Sequence, residues 1–389
     1  FQELVSIATC EFDSHPAHEN EDDLQVALVR FSILVPISLS GQLRFPTDKV
    51  HDRVDLSGEG GLSWTYYRFA KIHYISGKIR EMKIVFLDAG TMGTSSLAPI
   101  ERQGELTAWP NSTPEESIQR VGDCEVLIVN KIKVNDQLLE AAPKLRLVCE
   151  AGTGINNIDV DSCSRHGVLV RNVAGYSTDS VVQETFMHIL NLLGNGAYFD
   201  DVVKSGAYSR SGLFTDYSRP FIEMAGKTLG VIGLGAIGTK VAKIGTAFGM
   251  RVIYYSTSGT SHNTDYPSVP LESLMRESDV ISVHAPYNER TAGLVGEREL
   301  RMMKPQAIIV NMGRGGIVVE DALAKVIDEG VIGGAGLDVY SIEPIPADHP
   351  LLHTRHPERL SLTPHIAWAS IEARERLIQS IADNIAKGF

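Results

Sequence analysis

Three polar residues each follow an apolar run that is typical of a buried strand: Arg314, Glu343 and His365. An arginine presents a planar fork of N–H donors to a carboxylate. A histidine exchanges protons near neutral pH, and a glutamate bonded to its imidazole favours the protonated form. Together these groups meet the requirements for reducing a 2-keto acid. Each residue alone is also compatible with an ordinary structural role.

A glycine-rich turn lies upstream of these residues. The apolar run 229–232 leads into Gly233, Gly235 and Gly238, then into a helical stretch and a second apolar run at 252–255. In such a strand–turn–helix–strand unit the first glycine permits a tight turn, the second lets the backbone approach a pyrophosphate, and the third lets the helix pack on the strand. The pattern predicts dinucleotide binding at the start of the helix. The predicted apolar face of the helix consists of Ile237, Val241, Ile244 and Phe248.

The elements that must position these residues alternate between strand and helix from Met82 onward, which predicts parallel sheets. We expect an α/β protein with two Rossmann-like or flavodoxin-like parallel-sheet domains and a cleft between them. Residues 179–193 and 371–387 are expected to be helices, and 194–225 a loop. The predicted strands are residues 84–87, 126–129, 145–149, 168–170, 229–232, 252–255, 280–283, 307–311, 334–337 and 360–363.

The composition limits the classes of function. A hydrophobic content of 43% and a charged content of 22% are those of a soluble globular protein, and the net charge of −12 gives no basic footprint for nucleic acid. No apolar run reaches the length of a membrane span. The cysteines show neither disulfide nor zinc spacing, so we expect a reducing, cytoplasmic setting and no metal. They are Cys10, Cys124, Cys149 and Cys163.

Residues 1–81 differ from the rest of the chain. They combine an acidic run at 19–23 with scattered Pro and Gly and little periodicity. Met82 then opens a buried-strand pattern. We interpret 1–81 as a poorly ordered extension outside the fold, with a small accessory domain as the alternative.

Several stretches between Met82 and Phe389 form a highly specific set of motifs, through both their residues and their order along the chain. They are Ala-Gly-Thr-Gly-Ile-Asn-Asn-Ile-Asp (151–159), Asn-Val-Ala-Gly-Tyr-Ser-Thr-Asp-Ser-Val (172–181), the glycine turn, His-Ala-Pro (284–286), Asn-Met-Gly-Arg-Gly-Gly (311–316), Gly-Leu-Asp-Val (336–339), Glu-Pro (343–344) and Pro-His-Ile (364–366). With these motifs the chain resembles the D-isomer-specific 2-hydroxyacid dehydrogenase family. Residues 87–91, 129–131 and 176–183 look most like its glycerate dehydrogenase, or hydroxypyruvate reductase, branch.

The resemblance implies a role for each motif. Arg314 would hold the substrate carboxylate and carbonyl, and His365, paired with Glu343, would be the general acid for reduction and base for oxidation. Substrate contacts would come from Gly152, Thr153, Gly154 and Arg314. Contacts with NAD(P) would come from Gly233, Gly235, Ala236, Ile237, Gly238, Ser256, Ala285, Pro286, Thr291, Met312, Gly313 and Asp338.

The resemblance also implies a domain division. Residues 82–177 and 366–389 would form a substrate domain, and 178–365 a dinucleotide-binding domain through which two copies form a homodimer. The expected activity is hydride transfer between NAD(P) and a small 2-keto or 2-hydroxy acid, with hydroxypyruvate/glycerate or glyoxylate/glycolate favoured. The alternative is a binding protein that senses the dinucleotide, like the transcriptional corepressors known as C-terminal binding proteins.

One position departs from the family pattern. NAD enzymes of this kind place an acidic residue at the end of the second strand, on the ribose 2′-OH. Here that position is Ser256, and no Arg or Lys stands between Arg251 and Arg276. The sequence therefore leaves the choice between NAD and NADP open.

Overall fold

The computed structural model describes residues 82–260 and 263–389. The expectation for 1–81 lies outside these described residues. The first sheet is wholly parallel, with the strand order β2–β1–β3–β4–β5. Its strands are β1 (Lys83–Phe86), β2 (Glu105–Ala108), β3 (Val126–Val129), β4 (Leu147–Glu150) and β5 (Leu169–Arg171).

Helices cover both faces of this sheet, because β1, β3 and β4 are apolar on both sides. They are α1 (Ala98–Glu101), α2 (Pro114–Val121), α3 (Asp136–Glu140), α4 (Val160–Arg165) and, from the end of the chain, α12 (Ile371–Ala386). The predicted apolar stripe of α12, at Leu377, Ile381 and Ile385, is buried against one face. The C-terminal helix thus belongs to the core of the first sheet.

The second sheet is also wholly parallel, with the order β11–β10–β9–β8–β6–β7. Its strands are β6 (Thr228–Ile232), β7 (Arg251–Tyr255), β8 (Val280–Val283), β9 (Ile308–Asn311), β10 (Gly334–Leu337) and β11 (Leu360–Leu362). Its helices are α5 (Thr178–Gly194), α6 (Gly196–Lys204), α7 (Ala207–Ser211), α8 (Ala236–Ala247), α9 (Leu271–Glu277), α10 (Glu297–Leu300) and α11 (Glu320–Asp328). The expected two-sheet α/β architecture is confirmed.

Strand order reverses in both sheets, between β1 and β3 in the first and between β6 and β8 in the second. In open α/β sheets, ligands bind beside the carboxyl ends of the strands at such a reversal. The loops that carry the candidate site residues all leave the carboxyl ends of strands in these two sheets.

Three sequence-based expectations need correction. Strand β2 escaped prediction because it lies at the sheet edge and its residues are mostly exposed. The expected loop 194–225 contains α6 and α7. Of the predicted apolar face of α8, Val241 is buried on the sheet and Ile237 and Ile244 are partly buried against the same core, but Gly238, Ala242 and Gly245 are also buried and Phe248 is exposed. A Cβ on Gly245 would lie 2.4 Å from Leu229 Cδ2, so close packing selects the small face, and Phe248 stacks on Phe186 instead.

Candidate active site

His365 and Glu343 form a pair at the carboxyl edge of the second sheet. The Nδ1 atom of His365 lies 2.7 Å from Glu343 Oε2. The His365 side chain is 22% exposed, and its Nε2 has no hydrogen-bond partner within the described residues. With Nδ1–H donating to the carboxylate, Nε2 is left as the atom that exchanges a proton.

The His365 backbone is held in an uncommon conformation. Its φ is +55°, in the left-handed region. Asp338, which follows β10, fixes the turn: its carboxylate accepts from Thr363 Oγ1 at 2.6 Å and from the amides of Ile366 and Ala367 at 2.8 Å each. Burial raises the pKa of Asp338, while these hydrogen bonds and the nearby His365 oppose the rise. Its carboxylate is therefore engaged in shaping the histidine turn.

Glu343 is held as a carboxylate. Its Oε1 accepts from the Tyr340 amide at 3.1 Å, and Lys131 Nζ, from the loop after β3, lies 3.6 Å from its Oε2. Burial alone would raise the pKa of Glu343, but the hydrogen bond and charge of His365, the Tyr340 amide and Lys131 lower it to about 2. Glu343 is thus a charged partner for the imidazole over the neutral pH range.

Arg314 belongs to a turn that Asn311 closes at the end of β9. Asn311 Oδ1 accepts from the Gly313 amide at 3.0 Å, and its Nδ2 donates to Arg314 O at 2.9 Å. The guanidinium reaches the loop after β4, since a Cβ on Gly154 would lie only 2.6 Å from Arg314 Nη2. Arg314 therefore stands where the carboxyl edges of the two sheets meet.

The loop Gly152–Thr153–Gly154 offers backbone donors on the opposite side. Thr153 Oγ1 donates to Val173 O at 2.9 Å, and the Val173 amide donates to Gly152 O at 2.9 Å. None of the amides of residues 152–154 donates to an acceptor in the described part of the chain. Free amides facing an arginine are suited to a carboxylate.

Two buried carboxyl groups lie near the carboxyl ends of β1 and β4, and sequence reasoning missed both. Asp88 accepts from the amides of Asn130 and Lys131 at 2.9 and 2.6 Å, and Glu150 Oε2 accepts from Asn157 Nδ2 at 2.9 Å. Burial raises the pKa of both groups, to about 8 for Glu150, where the charge of Asp88 adds to the effect. An acidic residue at the very end of a buried apolar strand was the available signal.

The glycine turn after β6 has the geometry of a phosphate-binding turn. Gly233 has a φ of +89°, which a glycine adopts without strain. A Cβ on Gly238 would lie 2.1 Å from Gly233 O, so the helix packs there only without a side chain. A Cβ on Gly235 would meet no atom within 4 Å, and α8 begins at the next residue. The space beside the helix N-terminus fits a pyrophosphate.

Other residues predicted to contact the cofactor surround this turn to different degrees. A Cβ on Gly233 would lie 3.1 Å from Ala285 Cα, and one on Gly313 would lie 2.8 Å from Ala285 O, so these loops are adjacent. Pro286 is exposed and Met312 is buried. Ala236 is exposed and Ile237 half-buried at the start of α8. Thr291 is fully buried, and its hydroxyl donates to Pro286 O within its own turn.

Ser256 directly follows β7, beside the glycine turn, since the Gly233 amide donates to Tyr255 O at 3.0 Å. The structure also brings a cation here that the sequence did not suggest. Arg290 Nη1 donates to Ser258 O at 2.6 Å. The two residues are 32 positions apart, and no local pattern connects them.

No helix in residues 82–260 and 263–389 combines the length and apolar character needed to cross a lipid bilayer. Within the same ranges, no three side chains of His, Cys, Asp or Glu are grouped as metal ligands.

Comparisons with known proteins give a consistent family. Residues 186–367 match the NAD-binding domain model of D-isomer-specific 2-hydroxyacid dehydrogenases. The chain is 38% identical over 300 residues to a glyoxylate reductase of Korarchaeum cryptofilum, covering 74% of this chain and 88% of the relative. It is 34% identical over 311 residues to a hydroxypyruvate reductase of Blautia hydrogenotrophica, covering 78% and 96%.

A solved structure agrees. The NADPH-dependent glyoxylate/hydroxypyruvate reductase of Sinorhizobium meliloti, in complex with NADP and malonate, aligns with a TM-score of 0.66 at 26% identity, over 79% of this chain and 93% of that one. The chain therefore belongs to the D-isomer-specific 2-hydroxyacid dehydrogenase family, and it is a nicotinamide-dependent oxidoreductase that acts on the CH–OH group of 2-hydroxy acids.

Proposed function

We propose that this dehydrogenase reduces a small 2-keto acid, hydroxypyruvate or glyoxylate, and catalyses the reverse oxidation of glycerate or glycolate. The observation that carries the proposal is the His365–Glu343 pair with a free Nε2, at the edge where Arg314 meets the loop Gly152–Thr153–Gly154. The names of the two relatives described above support this choice of substrates. Both are named as enzymes, so the corepressor alternative gains no support.

In the proposed mechanism the substrate carboxylate binds between Arg314 and the free amides of residues 152–154. The Arg314 fork also reaches the keto oxygen and polarises its carbonyl. A reduced nicotinamide, when bound, would supply the hydride to the carbonyl carbon. His365 Nε2–H gives its proton to the oxygen as negative charge develops there, and Glu343 stabilises the imidazolium before transfer. Oxidation runs the same proton path backwards.

For the cofactor, we propose contacts through the backbone of Gly235, Ala236 and Ile237 to the pyrophosphate and through the 285–286 loop to the adenosine. For Asp338 we propose a contact with the nicotinamide amide, although its carboxylate already accepts three hydrogen bonds within the histidine turn. We keep 82–177 with 366–389 as the substrate domain and 178–365 as the dinucleotide domain, in line with the cores that α12 and α5 join.

We also propose a homodimer formed through the dinucleotide domain. The segment that follows α5 carries large apolar side chains on its surface, including Leu213, Phe214, Tyr217 and Phe221, which are 66–89% exposed. Exposed apolar groups concentrated in one segment mark an association surface. Light scattering on the purified protein should give twice the chain mass, and a monomer would contradict the proposal.

The activity is tested by nicotinamide absorbance or fluorescence against a panel of 2-keto acids, with both NADH and NADPH. Hydroxypyruvate or glyoxylate should give the highest kcat/KM, and Arg314→Lys should lower it strongly because the fork is lost while the charge remains. Turnover of neither acid, or an Arg314→Lys variant with normal kcat and KM, would contradict the proposal.

A further inference from the structure

A positively charged side chain reaches the loop after β7 from a part of the chain that is distant in sequence. Arg290 lies in the loop after β8 and crosses to the loop after β7, where its Nη1 donates to Ser258 O at 2.6 Å. A Cβ on Gly259 would lie 3.5 Å from the same atom. Strand β7 ends beside the glycine turn, so the guanidinium stands at the place where the adenosine ribose of a dinucleotide lies in this fold.

Three hydroxyl groups converge in the same loop. Ser256 Oγ donates to Thr260 O at 2.7 Å, and Ser258 Oγ lies 3.2 Å from Ser256 Oγ and 3.3 Å from Thr260 Oγ1. Each hydroxyl can rotate to donate to an anion. No Asp or Glu occurs in residues 251–264, so the loop itself contributes no carboxylate to repel one.

Arg290 is placed by a tightly bonded turn. Thr291 Oγ1 donates to Pro286 O at 2.6 Å and accepts from the Asn288 amide at 2.8 Å, and Asn288 Oδ1 accepts from the Arg290 amide at 2.9 Å. The turn therefore holds the Arg290 backbone independently of any ligand. The guanidinium has five N–H donors, and in the described residues only Nη1 has a partner. The remaining donors stay available to a phosphate.

We propose that Arg290 and the hydroxyls of Ser256, Ser258 and Thr260 bind the 2′-phosphate of NADPH, so that this enzyme uses NADPH in preference to NADH. The proposal rests on the proposed function, which places the dinucleotide at the glycine turn. Bidentate arginine contacts and hydroxyl donors are the chemistry that recognises a phosphate dianion. The 2′-OH of NADH carries no charge and gains nothing from Arg290.

The test measures kcat/KM for NADPH and NADH in the natural protein, Arg290→Ala and Arg290→Lys. We expect Arg290→Ala to lower kcat/KM for NADPH by about 10- to 100-fold, the worth of charge-assisted hydrogen bonds. The value for NADH should change by less than about threefold, so the ratio between the cofactors falls. Arg290→Lys should be intermediate, since it keeps the charge and loses the fork.

Arg276→Ala is the matched control. Arg276 is exposed on α9, which ends just before β8 begins and so at the opposite edge of the sheet. The Arg276→Ala substitution also removes one positive charge, and it should leave the ratio of kcat/KM for NADPH to that for NADH unchanged. If the ratio of kcat/KM for NADPH to that for NADH is unchanged in Arg290→Ala, the proposal is overturned. Equal losses with both cofactors would also overturn it, because they would mean that Arg290 only holds the loop in place.

Binding without turnover separates this inference from the proposed function. Calorimetry should show tighter binding of 2′-phospho-ADP-ribose than of ADP-ribose, with a difference that shrinks at high salt and disappears in Arg290→Ala. If that selectivity appears but no 2-keto acid is reduced, the phosphate site stands and the proposed function fails. If keto acids are reduced and the selectivity is absent, the phosphate site fails alone.

Discussion

Two turns at the carboxyl edge of the second sheet send the chain out of its strand by different means. After β6, Gly233 takes a φ of +89°, and after β11, His365 takes a φ of +55°. The left-handed region suits glycine, whereas a residue with a Cβ loses roughly 1–2 kcal/mol there. The glycine turn therefore has a relaxed backbone, and the histidine turn has to be stabilised by its surroundings.

The difference follows from what each turn must present. A phosphate-binding turn presents backbone N–H groups and empty space, so small residues suffice. The histidine turn must present an imidazole at one place, and Asp338 holds it with three hydrogen bonds from the residues on either side. Thr363 is in turn hydrogen-bonded to the buried His188 at 3.1 Å. Burial lowers the pKa of His188 to about 4, so its imidazole is neutral near pH 7. Side-chain hydrogen bonds therefore stabilise the left-handed backbone of the histidine turn, whereas the other turn uses a glycine.

The largest effect should come from removing the imidazole. His365→Ala should lower kcat by about 10²- to 10⁴-fold because the positioned acid is lost, with little change in cofactor affinity. His365→Asn is the companion variant, since asparagine tolerates the left-handed backbone and cannot act as the acid. Steady-state rates and cofactor titration measure both, with the exposed His353→Ala as control. Normal turnover in either His365 variant would remove this residue from the mechanism.

The glycine turn should fail in binding rather than in folding. Gly235→Val adds a side chain where no atom lies within 4 Å and at a φ of −78°, so the melting temperature should hardly change. Dinucleotide affinity should fall by about 100-fold or more, because the side chain fills the phosphate space. Gly238→Val is the contrast, since its Cβ would lie 2.1 Å from Gly233 O and should destabilise the fold itself. Unchanged affinity in Gly235→Val would contradict the phosphate-binding assignment.

The sequence predicted these two turns unequally. The glycine turn is a local pattern, so its strands, helix and three glycine roles could be inferred from consecutive residues. The residue types and their order along the chain also pointed to Arg314, Glu343 and His365 as the candidate catalytic residues. Asp338 as the clamp of the histidine turn and Arg290 beside Ser258 could not be inferred, because contacts across 28 and 32 positions depend on how the strands assemble. The small buried face of α8 was missed because apolar periodicity overlooks glycine.

The support of the histidine turn can be weakened without touching the imidazole. Asp338→Asn replaces one acceptor oxygen by an amide group that faces a backbone N–H or a hydroxyl. We expect kcat to fall about 10- to 100-fold and the free energy of unfolding to fall by about 1–3 kcal/mol, as a buried hydrogen bond is broken. Thr363→Val, which removes only one of the three donors, should act more mildly. A kcat for Asp338→Asn equal to that of the natural protein would show that the histidine turn holds itself.

The smallest effect should come from the charge beside the imidazole. In Glu343→Gln a hydrogen-bond partner remains but the carboxylate, whose pKa is held at about 2, is gone. Reduction requires the imidazolium, so its rate is high at low pH and falls as the histidine loses its proton. Without the negative charge the imidazolium is less stable, and this falling limb should move to lower pH. The limb for oxidation, which needs the neutral imidazole and rises with pH, should move in the same direction.

Glu358→Gln is the matched control, because Glu358 pairs with His356 at 3.1 Å on the surface away from the site. Full pH–rate profiles in both directions decide the matter: a shift in Glu343→Gln alone supports the pairing, and limbs that stay in place would mean that the carboxylate orients His365 without stabilising its charge.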